Sequence, residues 1–484
     1  MGRREGEGGV ITQRVSTGIE GLDEVLQGGF PKGSMILLGG NPGTGKTIFS
    51  AEFLYHGARD FFENGLYVSF SEGRDAFIAN MSSLGLDFEK LEREGKFKIL
   101  DLVTVKEAGL DTLMEMMTSD IDTLGVERLV IDSFTAMANA FSTVIDARVT
   151  LHLLSKIVRQ SGCTTIVITE IPTGEQRIGL GIEEFVSDGI IVLEKRWVEW
   201  RLLRELVVEK MRGTRMARTR FLFTLHNGFK VFQPFKAGRV EEPRRFQPIP
   251  HTEERFSTGS EELDEIIGGL PRGSAVLIEF GTEISREAAM LFSVPIMANF
   301  GTQGMAMIIL PCSGFNAETI YEIAKEFQLT EEEINDLLRV IERPRSYLKR
   351  DVDYVFVPKG QDIREVYEGI ARLRQELRER TGKPVLGFMG LDTAGIVLGE
   401  GSLRNILDQI VTDTRIEEGL IVFVSKPGVE GIAQYVANMA DIHVRVVCEN
   451  GVILFYGVRP RTSLYVVEMD CSKGYPMPKF TPIL

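Results

Sequence analysis

Residues 40–47 read Gly-Asn-Pro-Gly-Thr-Gly-Lys-Thr and meet the pattern GxxxxGK[ST] at every fixed position. Glycines at this spacing let successive backbone N–H groups turn inward around phosphate oxygens. Lys46 can then reach β- and γ-phosphates, and the Thr47 hydroxyl can ligate Mg²⁺. Two carboxylates could complete such a site. Asp132 closes the apolar run LVIDS (129–133), where it can hold Mg²⁺ through its water shell. Glu72 follows LYVSFS and would sit at a neighbouring strand tip, able to orient or deprotonate water attacking a γ-phosphate. A solvated glutamate in a turn is the competing reading of Glu72.

These residues need strands to carry them and a helix behind the loop. Apolar runs at 35–38, 66–70, 129–133, 165–169 and 189–193 alternate with helical patterns, one of which (147–162) stops at Gly162. Strands separated by helices predict βαβ units and a mostly parallel, two-sided sheet. The helix after the loop would also turn the positive end of its dipole toward bound phosphate.

The chain repeats itself. RVSTGIEGLDEVLQGGFPKGS (14–34) returns as RFSTGSEELDEIIGGLPRGS (255–274), with one residue deleted and an apolar run after each copy. So long a period predicts two duplicated domains rather than a solenoid. Between them lies QPFKAGRVEEPRRFQPIPHT (233–252), whose four prolines predict an extended connection. The expected organisation is a first domain over 1–235, a linker over 236–252 and a second domain over 253–484.

The 484 residues, 43% hydrophobic and 26% charged, exclude wholesale disorder. A net charge of −14 opposes nonspecific binding to nucleic acid or anionic lipid. Cys163, Cys312, Cys448 and Cys471 form no CxxC pair, which fits a reducing compartment. The polar N-terminus resembles no signal peptide, Gly6 breaks the myristoylation pattern, and no apolar run reaches membrane-spanning length. A cytoplasmic location without membrane insertion is expected.

The first half resembles a KaiC-type ATPase of the RecA superfamily over about residues 14–225. The supporting motifs, in family order, are the repeat block, GNPGTGKT, YVSFSE, LVIDS, TTIVITE, GIEEFVSDG and EKMRGT. The second half is similar to the same fold at lower similarity. The resemblance implies two tandem RecA/KaiC-like α/β domains with mostly parallel central sheets flanked by helices, and ATP with Mg²⁺ as ligands. It assigns phosphate contacts to Gly43, Thr44, Gly45, Lys46, Thr47 and Ile48, catalysis to Glu72, and a place near the nucleoside to Ser83. It places Lys210, Met211, Arg212 and Thr214 against the nucleotide of a neighbouring subunit, where Arg212 would act as an arginine finger in a ring expected to be hexameric. Met216 stands where the clock protein has a base-contacting histidine, and Ser71 where it has a first glutamate. Lys210, Arg212, Arg215, Arg218 and Arg220 fall within eleven residues, which reads first as trans nucleotide contacts, next as a solvated strand face and last as a nucleic-acid patch.

In the second copy Gly45, Lys46 and Thr47 become Ser285, Arg286 and Glu287, while Phe280 and Ile284 crowd the loop. A carboxylate in place of the hydroxyl would repel polyphosphate, and PCSG (311–314) offers no counterpart of Glu72. Asp392, in GFMGLDTAG, is expected to persist at the strand end. The second domain therefore reads as a structural or sensory relic without a working loop, and His443 and Cys448 as core rather than metal ligands. The leading expectation is an ATP-hydrolysing regulatory ring with one active site per chain and a protein partner. The alternatives are a regulatory binding module like the gas-vesicle regulators, and a recombinase-like DNA-dependent ATPase, which the negative charge disfavours. Autokinase activity is not expected, because IEEFVSD (182–188) and ANMAD (437–441) lack the family's Ser-Thr pair.

Overall fold

The computed structural model describes residues 13–103, 110–138, 144–171, 186–342, 352–359, 363–398 and 400–484. The chain divides into two compact units. One runs to Gln233 and includes Ile483–Leu484; the other is Pro234–Pro482. Each is a mostly parallel sheet flanked by helices.

The first unit's sheet has nine strands: β1 (Met35–Gly40), β2 (Gly65–Ser69), β3 (Phe97–Asp101), β4 (Arg128–Asp132), β5 (Thr164–Glu170), β6 (Gly189–Val198), β7 (Arg201–Met211), β8 (Arg220–Thr224) and β9 (Lys230–Val231). They lie in the order β9-β8-β7-β6-β1-β5-β4-β2-β3. Strands β1 to β6 run parallel, and β7 to β9 extend the sheet antiparallel. All six residues of β1 are buried, as the uninterrupted run MILLGG requires of a strand with helices on both faces. The helix Val144–Ser161 ends at Gly162, whose φ of 72° suits only a residue without Cβ strain.

The second unit repeats the plan with β10 (Ser274–Phe280), β11 (Met307–Leu310), β12 (Leu338–Ile341), β13 (Val355–Phe356), β14 (Leu386–Gly390), β15 (Leu420–Ser425), β16 (Ile442–Glu449), β17 (Val452–Arg459), β18 (Tyr465–Asp470) and β19 (Met477–Pro482). Their order is β13-β12-β11-β14-β15-β10-β16-β17-β18-β19. Residues 236–252 form neither helix nor strand. They pack on this unit: Phe246 is 2% exposed, with its ring 5.0 Å from that of Tyr475.

Candidate functional site

The parallel strands of the first unit end at one edge, where Gly40 pairs with Glu170 and Ser69 with Asp132. The loop leaves β1 there and enters helix α1 (Lys46–Asp60) through Gly45, which has φ 104° and no room to spare: an added Cβ would lie 3.2 Å from Leu225. At Gly40 a Cβ would meet the Leu193 carbonyl at 2.6 Å. These two glycines let the loop fold tightly against β6 and against Leu225, just past β8.

Within the loop, Lys46 is 9% exposed, and its ammonium donates to the carbonyls of Gly40 (2.8 Å) and Asn41 (3.0 Å). Burial pushes its pKa down, opposed by the charges of Glu170 and Asp132. Thr44 is buried and donates to Asn41 O (2.9 Å), while Gly43 and Ile48 flank it at the surface and on the helix. Thr47 Oγ1 donates to Asp132 Oδ2 (3.1 Å), the same oxygen that accepts from Tyr67 Oη (2.5 Å). Burial raises the pKa of Asp132, with both hydroxyls and Lys46 pulling it back down. A hydroxyl and a carboxylate converging at a loop built for phosphate are hard oxygen donors. They suit a small divalent cation that keeps several waters and shares phosphate oxygens, so Mg²⁺ fits the residues present.

Glu72 stands at the same edge. It caps a turn in which Ser69 Oγ donates to its carbonyl (2.5 Å) and accepts from its N–H (3.1 Å). Its carboxylate accepts from Asn80 Nδ2 at 2.5 Å, and partial burial raises its pKa. Asn80 lies on helix α2 (Arg74–Ser83), so Glu72 is held by its own following helix. Ser83 ends that helix exposed, with its hydroxyl donating to Asn80 O (2.6 Å).

The basic residues lie elsewhere. β6 runs parallel to β1, pairing Gly189 with Ile36, and β7 runs back against it, pairing Gly189 with Met211. Lys210, Met211 and Arg212 are therefore at the opposite end of the sheet from Gly40. Lys210 Nζ donates to Ser187 O (2.7 Å), and Arg212 pairs with Asp188 (2.9 Å). Arg14 donates to Gly213 O (2.6 Å) and Thr214 Oγ1 (2.9 Å). Met211 is 7% exposed and packs over Gly189, so its side chain belongs to the core. Arg220 pairs with Glu194 (2.9 Å) and Glu205 (3.4 Å). Residues 172–185, including most of GIEEFVSDG, lie outside the described residues.

Several site residues escape the motifs. Glu170 follows Thr169 at the end of β5 and adds a carboxylate beside Lys46; its place at a strand end is the signal that marks Asp132. Arg204 (8% exposed) donates to the carbonyls of Gly43 (3.3 Å) and Thr44 (3.4 Å), and Lys195 to that of Pro42 (3.0 Å). Both come from the β6–β7 hairpin, and no spacing in the sequence announces them.

A family profile described as "ATPase: KaiC" matches residues 15–235. A UPF0273 protein of Methanocaldococcus jannaschii is 36% identical over 238 residues, covering 46% of this chain and 98% of that protein. The chain belongs to the KaiC-like ATPase family. The first unit is thus an ATP-binding phosphate-loop ATPase domain by descent. The circadian clock oscillator protein KaiC of Prochlorococcus marinus is 34% identical over 266 residues, 53% of this chain and 51% of that one. The chain spans about half the length of the KaiC clock proteins it matches. The crystal structure of a KaiC-like protein from Pyrococcus horikoshii is 37% identical, with a TM-score of 0.43, over 46% of this KaiC-like chain and 100% of the other. No helix among the described residues is long and apolar enough to cross a membrane.

The second KaiC-like unit departs from the first at the corresponding edge. Stepping across the first sheet from Leu37 leads through Val167 to Ile131 and so to Asp132; from Leu277 the same steps lead through Phe423 to Met389 and so to Gly390. The expectation for Asp392 is thereby corrected: Gly390 occupies the place of Asp132, and Asp392 lies two residues on, in the first turn of the next helix. The reason is packing, since a Cβ at Gly390 would come within 2.7 Å of the Cys312 backbone. By the same register Lys426 replaces Glu170. Phe280 turns into the core rather than over the loop, 6.1 Å from Phe292. His443 is buried against Glu279 (2.8 Å).

Proposed function

We propose that this protein is an ATP-hydrolysing ring, a hexamer by analogy with the clock protein, with one active site per chain in the first unit, serving as a regulatory switch that acts on a protein partner. The observation that carries the reading is the separation of Arg212 from Gly40 by the length of the sheet. A basic residue at that end cannot reach its own chain's phosphates. It can reach those of a neighbour stacked head to tail, and such an interface generates a ring where the rotation closes.

On this reading the Lys46 ammonium leaves the carbonyls of Gly40 and Asn41 for the β- and γ-phosphates. Thr47 and Asp132, the latter through water, hold Mg²⁺, which when bound neutralises charge developing on the transferred phosphoryl group. Glu72, kept in place by Asn80, takes the proton of the attacking water; its raised pKa makes it the stronger base. Gly43, Thr44, Gly45 and Ile48 supply backbone contacts to phosphate, and Ser83 borders the nucleoside. The neighbour's Lys210 and Arg212 stabilise the transition state, Arg212 exchanging Asp188 for phosphate, with Met211 and Thr214 offering backbone and hydroxyl contacts.

Mixing two inactive proteins tests this. Lys46→Ala lacks the lysine of its own loop but still offers Arg212 to a neighbour, and Arg212→Ala has the converse defect. Mixed assemblies should regain part of the ATPase activity. No recovery in assemblies shown to be mixed would place Arg212 outside the site.

A further inference from the structure

The first unit fills the space between its sheet and helices α2 and α3 (Phe88–Arg93) with four rings. Tyr67 lies 4.3 Å from Phe77, Phe77 lies 5.3 Å from Phe88, and Phe88 lies 4.5 Å from Phe97, between ring centroids. The second unit has none of them. Stepping across the sheet from Ile36 through Ile166 and Val130 reaches Tyr67; from Val276 through Val422 and Phe388 it reaches Ile309. Phe97 pairs with the first residue of β2, and its counterpart Leu338 with the first residue of β11. Phe77 is fourth after the N-cap Gly73, and Ile320 is fourth after the N-cap Asn316 of helix α5 (Ala317–Glu326). Phe88 follows its N-cap, Asp87, as Glu331 follows Thr330. Rings have become aliphatic chains or left the core.

What remains is a cavity of about 80 Å³, walled by Ile309, Ile320, Leu338 and Phe388 and by Met290 and Ser293 of helix α4 (Arg286–Thr302). So apolar a space offers water few partners and selects an apolar occupant. It reaches the sheet edge at Phe315 and Lys426. There the charge is reversed. The Arg286 guanidinium lies 4.7 Å, and the Lys426 ammonium 5.4 Å, from the centre of the Phe315 ring. Arg286, Glu287, Gly390 and Lys426 stand where the first unit has Lys46, Thr47, Asp132 and Glu170. Two cations and one carboxylate thus replace one cation and two carboxylates. Ligands of α/β sheets bind at this edge.

We propose that the second unit is a binding site for a small apolar carboxylic acid, its hydrocarbon body in the cavity and its carboxylate on the Lys426 ammonium beside Phe315. Where the first unit packs rings, the second has an open cavity leading to a cationic edge.

Isothermal titration of the full chain with hexanoate and with 1-hexanol tests the assignment. Hexanoate should bind saturably at one site per chain, roughly fivefold tighter than the alcohol, the upper end for a partly exposed ion pair. Lys426→Met should remove that difference while leaving the alcohol's affinity unchanged. Ile320→Phe, which restores the ring of the first unit, should abolish binding of both, and Ser293→Leu fills the cavity independently should the first variant fold poorly. Absence of saturable hexanoate binding, or binding that survives filling, overturns the site. Equal affinity for acid and alcohol overturns the role of Lys426.

Discussion

Tyr67 and Asp132 share a hydrogen bond of 2.5 Å on the oxygen that also accepts from Thr47. A buried phenol on one strand thereby aims the carboxylate of the next strand at the loop. Tyr67→Phe keeps the packing and removes the aim. A hydrogen bond to a charged group contributes about 1.5–3 kcal/mol. The Mg²⁺ concentration needed for half-maximal turnover should therefore rise by roughly tenfold or more, with the fold unchanged by circular dichroism. Unaltered Mg²⁺ dependence would reduce Tyr67 to a core residue.

Glu72→Gln should separate binding from hydrolysis. ATP affinity should persist while turnover falls by roughly 10²–10⁴-fold, the range for a positioned general base. Full turnover in this variant would assign the water to another group.

Asn80 tunes Glu72. Burial raises the carboxyl's pKa, and the Asn80 amide, by hydrogen bonding to the ionised form, lowers it. A base works above its pKa, so activity should fall on the acid side at a pH above the ordinary glutamate range. Asn80→Ala removes the lowering contact and should move that acid limb to higher pH. An unmoved limb would mean that Glu72 does not govern it.

Glu52, buried on α1, should govern stability. It is 5% exposed, accepts from Phe229 N (2.6 Å), and burial raises its pKa from 4.5 to about 7. The folded state then holds the proton more tightly than the unfolded chain. Its contribution is fully present below about pH 4.5 and is lost as pH rises through 7, by roughly 3 kcal/mol at most. Glu52→Gln should raise the urea midpoint at pH 8 and flatten its dependence between pH 5 and 7. The same slope in both proteins would point to another group.

Nucleotide stoichiometry provides a further check. Titration with a non-hydrolysable ATP analogue should give one site per chain, abolished by Lys46→Ala. Two sites would mean that the loop at 281–284 still takes phosphate despite Glu287.

Motifs marked residues that the fold brings together at one edge. The loop at 40–47, Asp132 and Glu72 meet at one sheet edge because each ends or follows an apolar run, and strand ends share an edge in a parallel sheet. Arg204 and Lys195 were illegible, because they reach the loop through the β6–β7 pairing, and contacts across strands leave no fixed spacing. Asp392 misled for the complementary reason: an acid near a strand end looks like the acid at the strand end, and only inter-strand register tells them apart. The lost aromatic cluster was hidden likewise, since its four members are scattered along the chain and meet only when folded.

If Arg212 acts in trans as proposed, its position opposite Gly40 also sets a counting rule. In an open row of subunits stacked head to tail, the leading chain offers an arginine to nobody and the trailing loop receives none. A row of any length therefore has one site fewer than it has chains, and only closure brings the two numbers together. Activity per chain would then climb with protein concentration and level off where rings close, so a dilution series reads out the geometry of the assembly from turnover alone.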